Sequence, residues 1–443
     1  MTARRTDGAT AGRTAPRTAR RVVITGLGVI APGGIGAKAF WERIVSGVSA
    51  TRTITAFDPT PFRSRMAAEC DFDGARAGLS ARDTVRLDRA AQFALVAARE
   101  ALADSGIEID EGNAHRTGVS LGSAVGCTQK LEEEYVARSD GGQRWLVDHA
   151  AGTPYLYDYF VPSSMAAEVA WEAGAEGPCA LVSAGCTSGL DSLGHAVELI
   201  REGSADIMIA GGSDAPIAPI TVACFDAIKA TSPRNDTPDH ASRPFDRTRS
   251  GFVLGEGAAV LVLEERESAL RRGAQIYAEI AGFAARANAH HMTGLRPDGL
   301  EMSAAITGAL DDARIERDAV GYVNAHGTAT RQNDIHETAA LKHSLGEHAH
   351  RVPVSSIKAV IGHSLGAVGS IEAAASALVI RHGVVPPTAG LYEPDPELDL
   401  DYVPLTARDQ RVDTVLTVGS GFGGFQSAMV LTAAEATGAG RRG

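Results

Sequence analysis

No apolar run in this 443-residue sequence approaches the roughly 20 residues that a helix needs to cross a bilayer. Basic charge is also in short supply. The 42 Lys and Arg face 54 Asp and Glu, and a formal net charge of -12 argues against the positive face that nucleic-acid binding requires. Cysteine is scarce, and the five present form neither a C-x-x-C pair nor any zinc-like spacing. That excludes the usual cysteine metal sites, and an odd number of thiols in so long a chain points to reduced thiols and a cytoplasmic setting. What remains is an ordinary globular composition, 44% hydrophobic and 22% charged, with glycine abundant at 49. The length exceeds what one core serves well, so two domains or two fused halves are expected.

Arg20-Arg21 before an apolar stretch resembles a twin-arginine export signal. Gly26, Gly28, Pro32, Gly33 and Gly34 interrupt that stretch and no small-residue cleavage site follows, so the favoured reading is a strand at 21–25 after a disordered tail at 1–19. Helices are expected near 38–46 and 84–104, from about 163, and from Gly185 to about Arg201, with strands at 117–121, 179–183, 206–211 and 258–264. Residues 127–160 show little periodicity and read as an insertion. A similar order recurs beyond, with strands at 275–283, 320–325, 352–356, 413–419 and 425–432 and helices near 301–313, 334–345 and 366–382. Strands alternating with helices imply mainly parallel sheets covered on both faces. The halves divide near 265–275, giving 20–268 and 269–433, with a second disordered tail at 434–443.

The central stretch is Gly177-Pro178-Cys179-Ala180-Leu181-Val182-Ser183-Ala184-Gly185-Cys186-Thr187-Ser188-Gly189-Leu190. It places Cys186 where a buried strand gives way to an apolar helix. Free N–H groups and the helix dipole favour a thiolate there, so a depressed thiol pKa is expected. A buried cysteine packing as a small hydrophobe is the bland alternative. Two glycine patterns, Gly26 to Ala31 and Gly419 to Gly424, fit dinucleotide fingerprints, but neither opens a helix as that motif demands. Gly362-His363-Ser364-Leu365-Gly366 is a G-x-S-x-G string and makes Ser364 a rival nucleophile. Its acid and downstream histidine are poorly supplied, since only His382 follows. His326 and His363 both stand at strand exits before small residues, with Lys358 five residues before the second. The Gly419–Gly424 loop can present N–H groups as half of an oxyanion hole.

Taken together, Cys186, His326, Lys358, His363 and the Gly-Phe-Gly-Gly loop make the chain resemble a β-ketoacyl synthase over about residues 20–433. The strings Val182 to Ser192, Gln332-Asn333-Asp334, His336-Glu337-Thr338, Ser355 to Lys358 and Gly423 to Ala428 are similar to ketosynthase α subunits of bacterial type II aromatic polyketide synthases. The resemblance implies a thiolase-like α/β fold, two pseudo-duplicated βαβαβαββ halves in a five-layer αβαβα sandwich. It implies Cys186 as acyl-accepting nucleophile, His326 and His363 as promoters of malonyl decarboxylation, and Lys358 as the site lysine. Asp334, Glu337 and Glu372 become supporting carboxylates, and Phe422 the gate whose N–H joins that of Cys186 in the oxyanion hole. No cofactor or metal is expected, because substrates ride on the phosphopantetheine of an acyl carrier protein. A chain-length factor is the expected heterodimer partner, reached by the insertion, and Arg63, Arg65, Lys229 and Arg234 are candidate contacts for the carrier protein. Neither nucleic acid nor membrane is an expected partner. A fatty-acid-type ketoacyl synthase and a serine acyltransferase or hydrolase at Ser364 are the alternatives. Arg249-Ser250-Gly251-Phe252 and Gly327-Thr328-Ala329-Thr330 depart from the family's usual Arg-Asp-Gly-Phe and Gly-Ser-Gly-Thr, which bears on substrate range.

Overall fold

A computed structural model describes residues 20–144, 150 and 152–434, so the tail expected at 1–19 and all but the first residue of 434–443 lie outside the described residues. The first half runs β1 (Val22–Ala31), α1 (Arg89–Ser105), β2 (Thr117–Gly122), α2 (Ser164–Ala173), β3 (Cys179–Val182), α3 (Ser188–Glu202), β4 (Ile207–Asp214) and β5 (Gly257–Glu265). The second repeats the order: β6 (Ala278–Ala287), α4 (Leu300–Ala313), β7 (Tyr322–Asn324), α5 (Arg331–Leu345), β8 (Val354–Ser355), α6 (Val368–His382), β9 (Thr414–Gly421) and β10 (Phe425–Thr432). Each half is thus βαβαβαββ. The spatial orders, β3-β2-β4-β5-β1 and β8-β7-β9-β10-β6, are the same permutation. Edge strands β1 and β6 pair antiparallel through Val22↔Ile280 to Ile24↔Ala278, which joins the two sheets.

The sheets are mixed rather than mainly parallel. In each half the three strands reached through crossover helices run parallel, β2 with β3 and β4, β7 with β8 and β9. The other two pair antiparallel, because β4–β5 and β9–β10 are joined without a helix crossing the sheet and the last strand then meets the first. α3 and α6 pack on each other and on strands of both sheets, α1 and α2 cover the outer face of the first sheet, and α4 covers that of the second with α5 beside it. That is a five-layer αβαβα sandwich with a thiolase-like fold. Its middle layer holds the largest apolar cluster, from Leu190, Leu193 and Val197 to Ile371, Ala374 and Leu378.

β1 does not stop at Gly26 as the glycine pattern suggests; it stays buried and extended through Ala31. A Cβ on Gly26 or Gly28 would strike the carbonyl oxygens of Ala101 or Ala97 in α1. These glycines therefore let a helix lie directly on the strand, a packing use and not a phosphate-binding one. The insertion at 127–160, which shows little periodicity in the sequence, carries helices at Thr128–Arg138 and Leu156–Phe160, and residues 219–227, unassigned from sequence, form a helix Pro219–Ala227 that brings Phe225 to the site. Among the described residues, no helix is long and apolar enough to cross a membrane. Gly28→Ala should lower the unfolding free energy by about 1–3 kcal/mol, the usual cost of overpacking, read as a fall in the denaturant midpoint.

Candidate active site

Cys186 sits two residues before the first turn of α3, and His363 stands at the start of the turn that leads into α6. The two helices meet where Gly189 and Gly369 leave no room for a side chain: a Cβ on Gly189 would lie 2.8 Å from the Gly366 oxygen. His326 lies two residues beyond the end of β7. All three line one cavity of about 500 Å³, together with Phe225, Phe252, Leu365 and Phe422. The imidazoles of His326 and His363 are perpendicular, at 86°, with centroids 5.4 Å apart.

The backbone around Cys186 is tightly folded. Gly185 has φ 58°, and a Cβ there would lie 2.9 Å from the Phe422 oxygen, so only glycine lets the Phe422 loop press so close. The N–H groups of Phe422 and of Cys186 itself favour the ionised sulfur. Loop Gly421–Gly424 is clamped from outside: Asn288 N–H donates to Gly424 O at 2.8 Å and Gly423 N–H to Met292 O at 2.6 Å.

The thiol does not have the lowered pKa expected from its position. Burial pushes it up to about 11, against the Lys358 charge and the two N–H groups. The nearest helix N–H groups are already spent, Thr187 on Ala184 O and Ser188 on Gly185 O, and Asp191 places a carboxylate in the first helical turn. Desolvation therefore outweighs the helix dipole.

Lys358 is buried beneath the histidines. Its ammonium donates to His326 O at 2.5 Å, to His326 Nδ1 at 3.3 Å, and to Glu372 Oε1. An ammonium has no lone pair, so His326 Nδ1 must accept and the ring proton resides on Nε2. Burial and the Lys358 charge hold both His326 and His363 well below the ordinary imidazole value, so both are neutral at neutral pH. His363 is pinned through its backbone, donating to Val253 O at 2.8 Å and accepting from Gly255 N–H at 2.9 Å.

The three carboxylates named from sequence are buried, and each fixes something. Glu337 accepts from His326 N–H at 2.6 Å and Gly327 N–H at 2.8 Å, which holds the turn that aims His326. Asp334 accepts from Phe245 N–H at 2.9 Å and lies 3.4 Å from Arg249 Nε. Glu372 pairs with Lys358. Burial pushes Glu337 and Glu372 up to about 7 and Asp334 to about 6. A fourth carboxylate, Asp214 at the end of β4, carries no motif signal. Its oxygens accept from Ser123 Oγ at 2.6 Å, Ala124 N–H at 2.8 Å and Gly366 N–H at 2.7 Å, tying the turn after β2 to the turn after His363. A non-glycine residue buried at the C-terminal end of a central strand is the faint signal that could have found it.

Ser364 is buried with its Oγ unpartnered and is not among the residues lining the cavity, so no base stands ready to activate it. Arg63 is half-buried and its guanidinium donates to Thr231 O at 2.5 Å. Arg234 is likewise bound, to Thr248 O at 3.0 Å; Arg65, which donates from Nε to Phe62 O at 3.2 Å, and Lys229 are exposed. Ser250 puts a hydroxyl on the cavity wall, 2.9 Å from Ser232 Oγ, and Ala329 holds φ 65°, where the family's glycine would be unstrained. Among the described residues, no group of three His, Cys, Asp or Glu could hold a metal ion.

Residues 19–269 match the family described as beta-ketoacyl synthase, N-terminal domain, and residues 277–392 its C-terminal domain. The chain is 64% identical over 418 residues, 94% of this chain and 98% of the relative, to the tetracenomycin polyketide synthase ketoacyl synthase alpha subunit of Streptomyces glaucescens. Among solved structures it is similar to a ketosynthase bound to the hexaketide in complex with its type II polyketide synthase acyl-carrier protein, at TM-score 0.88 and 39% identity, covering 94% of this chain and 100% of that one. It is also similar to the ishigamide ketosynthase/chain length factor, at TM-score 0.85 and 33% identity with the same coverage.

Two outcomes are expected from this geometry. Iodoacetamide labelling of Cys186 should keep rising with pH beyond 9 toward a midpoint near 11; a plateau by pH 8 would contradict the dominance of burial. Asp214→Asn, which leaves fewer acceptor lone pairs for the same donors, should cost about 1–3 kcal/mol of stability by chemical denaturation.

Proposed function

The chain belongs to the β-ketoacyl synthase family, acyl-transferring condensing enzymes, and we propose that it is the ketosynthase α subunit of a bacterial type II polyketide synthase. The observation that carries this reading is the convergence of one thiol and two neutral imidazoles in a single cavity, with Lys358 fixing the tautomer of one. The Cys186 thiol attacks the acyl thioester of a carrier protein. Its proton leaves as the sulfur–carbon bond forms, and the departing carrier sulfur takes one up, so charge balances. Malonyl-carrier protein then binds, and the carbon–carbon bond to its carboxylate breaks, releasing CO₂. The electron pair moves into an enolate whose oxygen accepts hydrogen bonds from His326 Nε2–H and from His363. The enolate carbon attacks the Cys186 thioester, and the N–H groups of Cys186 and Phe422 hold the resulting oxyanion. Collapse expels the Cys186 thiolate, which regains a proton, and leaves a β-ketoacyl chain on the carrier protein. Lys358, Glu337, Asp334 and Glu372 touch no reacting atom on this reading; they position the histidines.

A chain-length factor is the proposed second subunit, supported by the similarity to a ketosynthase/chain length factor structure. Among the described residues the outer edge of β3 is unpaired; Trp171 on α2 beside it, and Tyr157 and Phe160 on the helix packed against α2, are each at least 70% exposed and suit such a partner. A cytoplasmic location fits reduced thiols and a carrier-borne substrate.

The decisive experiment separates the half-reactions. Cys186→Gln should abolish acyl loading and polyketide formation yet keep or raise CO₂ release from labelled malonyl-carrier protein, since the amide can occupy the thioester's place. His363→Ala should cut that release by roughly 10²–10⁴-fold while Cys186 still accepts acyl groups, seen by mass spectrometry. A folded Cys186→Gln protein that loses both activities would overturn the assignment.

A further inference from the structure

Among the described residues, the cavity that holds Cys186 is lined by three cations, Lys229, Arg249 and Arg331, and by no carboxylate. That is unexpected in a chain with twelve more acidic than basic residues. Arg249 is accounted for: it is buried, and Asp334 and Asp395 neutralise it from behind. Lys229 and Arg331 are different. Both are exposed, and among the described residues neither enters an ion pair, whereas Arg247 pairs with Glu393 and Arg249 with Asp395. Each is also held firmly at its base. Lys229 takes φ 56°, a conformation unfavourable for any residue but glycine, just beyond the helix Pro219–Ala227. Arg331 opens α5, whose start is fixed by Thr330 Oγ1 accepting from Asn333 N–H.

We propose that Lys229 and Arg331 bind the phosphate of the phosphopantetheine arm that delivers the thioester. The proposal rests on the carrier-borne substrate inferred above and adds the ligand for the cavity's outer end. The depth profile fits such an arm. Its thioester must reach Cys186, which is buried, while its phosphate stays near solvent, where the two cations are. Between them the wall is apolar at Phe225, Phe252 and Phe422, suiting the arm's methyl and methylene groups. Asn333 also lines the cavity, is buried, and has an Oδ1 with no partner in the protein, leaving an acceptor for an amide N–H of the arm. A phosphate that meets both a guanidinium and an ammonium gains charge-assisted hydrogen bonds, which weaken with salt because both cations are exposed.

The test uses the complex of this chain with its partner subunit and measures CO₂ release from malonyl-phosphopantetheine and malonyl-pantetheine, which differ only in the phosphate. The readout is the ratio of kcat/KM for the two donors. In the Lys229→Gln, Arg331→Gln double variant this ratio should fall about tenfold at low ionic strength, and the parent's ratio should itself decline as salt is added. An unchanged ratio overturns the proposal. So does an equal loss on both donors, which would assign the cations to the malonyl carboxylate. A loss seen with malonyl-carrier protein but not with free malonyl-phosphopantetheine also overturns it, placing the contact on the carrier's surface. A parent complex that releases no CO₂ from either donor would instead sink the condensing-enzyme reading, and the subsite with it.

Discussion

Close contact between the two central helices is the constraint on which the rest depends. α3 and α6 occupy equivalent places in the two halves, and both are buried along most of their length. They touch through Gly189 and Gly369, where a Cβ would lie 2.9 Å from Ser370 N and 2.8 Å from Leu190 N of the neighbour, respectively. Because the halves are related by the same strand permutation, the helices bring their N-termini to one place. Cys186 precedes one and His363 precedes the other. A larger residue at either glycine would part the helices and, with them, Cys186 and His363. Duplication of a fold thus yields a site that neither half has alone.

Burial then decides the chemistry. A dry site lined by Phe225, Phe252 and Phe422 disfavours every charged form, so the thiol is protonated and the histidines are neutral. Neutral imidazoles suit a reaction that needs hydrogen-bond donors to an enolate and no strong base, since loss of CO₂ supplies the carbanion. The charge that remains inside is paired. Lys358 and Glu372 satisfy each other, and the ammonium's spare donors fix His326. Removing one member would leave the other buried and uncompensated, a penalty of about 3–5 kcal/mol. Asp214, Glu337 and Asp334 accept backbone N–H groups in the same spirit, turning flexible loop ends into fixed ones.

Much of this was legible in the chain. Helical periodicity located α3, α4 and α6 to within a few residues, because each has a face that must be apolar. Local pattern failed where tertiary contact overrode it. Gly26 and Gly28 look like a turn, yet they lie in an extended strand because α1 rests on them. Parallel pairing was over-called, since alternation of strands and helices does not report which neighbours a strand will find. Arg63 looked like a surface cation but is bound to Thr231, and nothing in its neighbours along the chain announces that contact.

By itself, the sequence determined which chemical groups are on offer. A cysteine at a strand-to-helix junction, two histidines at strand exits, a lysine and a glycine-rich loop are chemical types at fixed positions, and the family resemblance they carry was enough to single them out. Their states were settled only in three dimensions. Whether a helix terminus lowers a thiol's pKa depends on how much water reaches it, and water access is a property of the packed layers, not of neighbours in the chain. The tautomer of His326 depends on Lys358, thirty-two positions later, and the anchoring of the His363 turn depends on Asp214, more than a hundred positions earlier. Residue chemistry is written locally. Desolvation and hydrogen-bond partnership are set by long-range contacts that only folding creates.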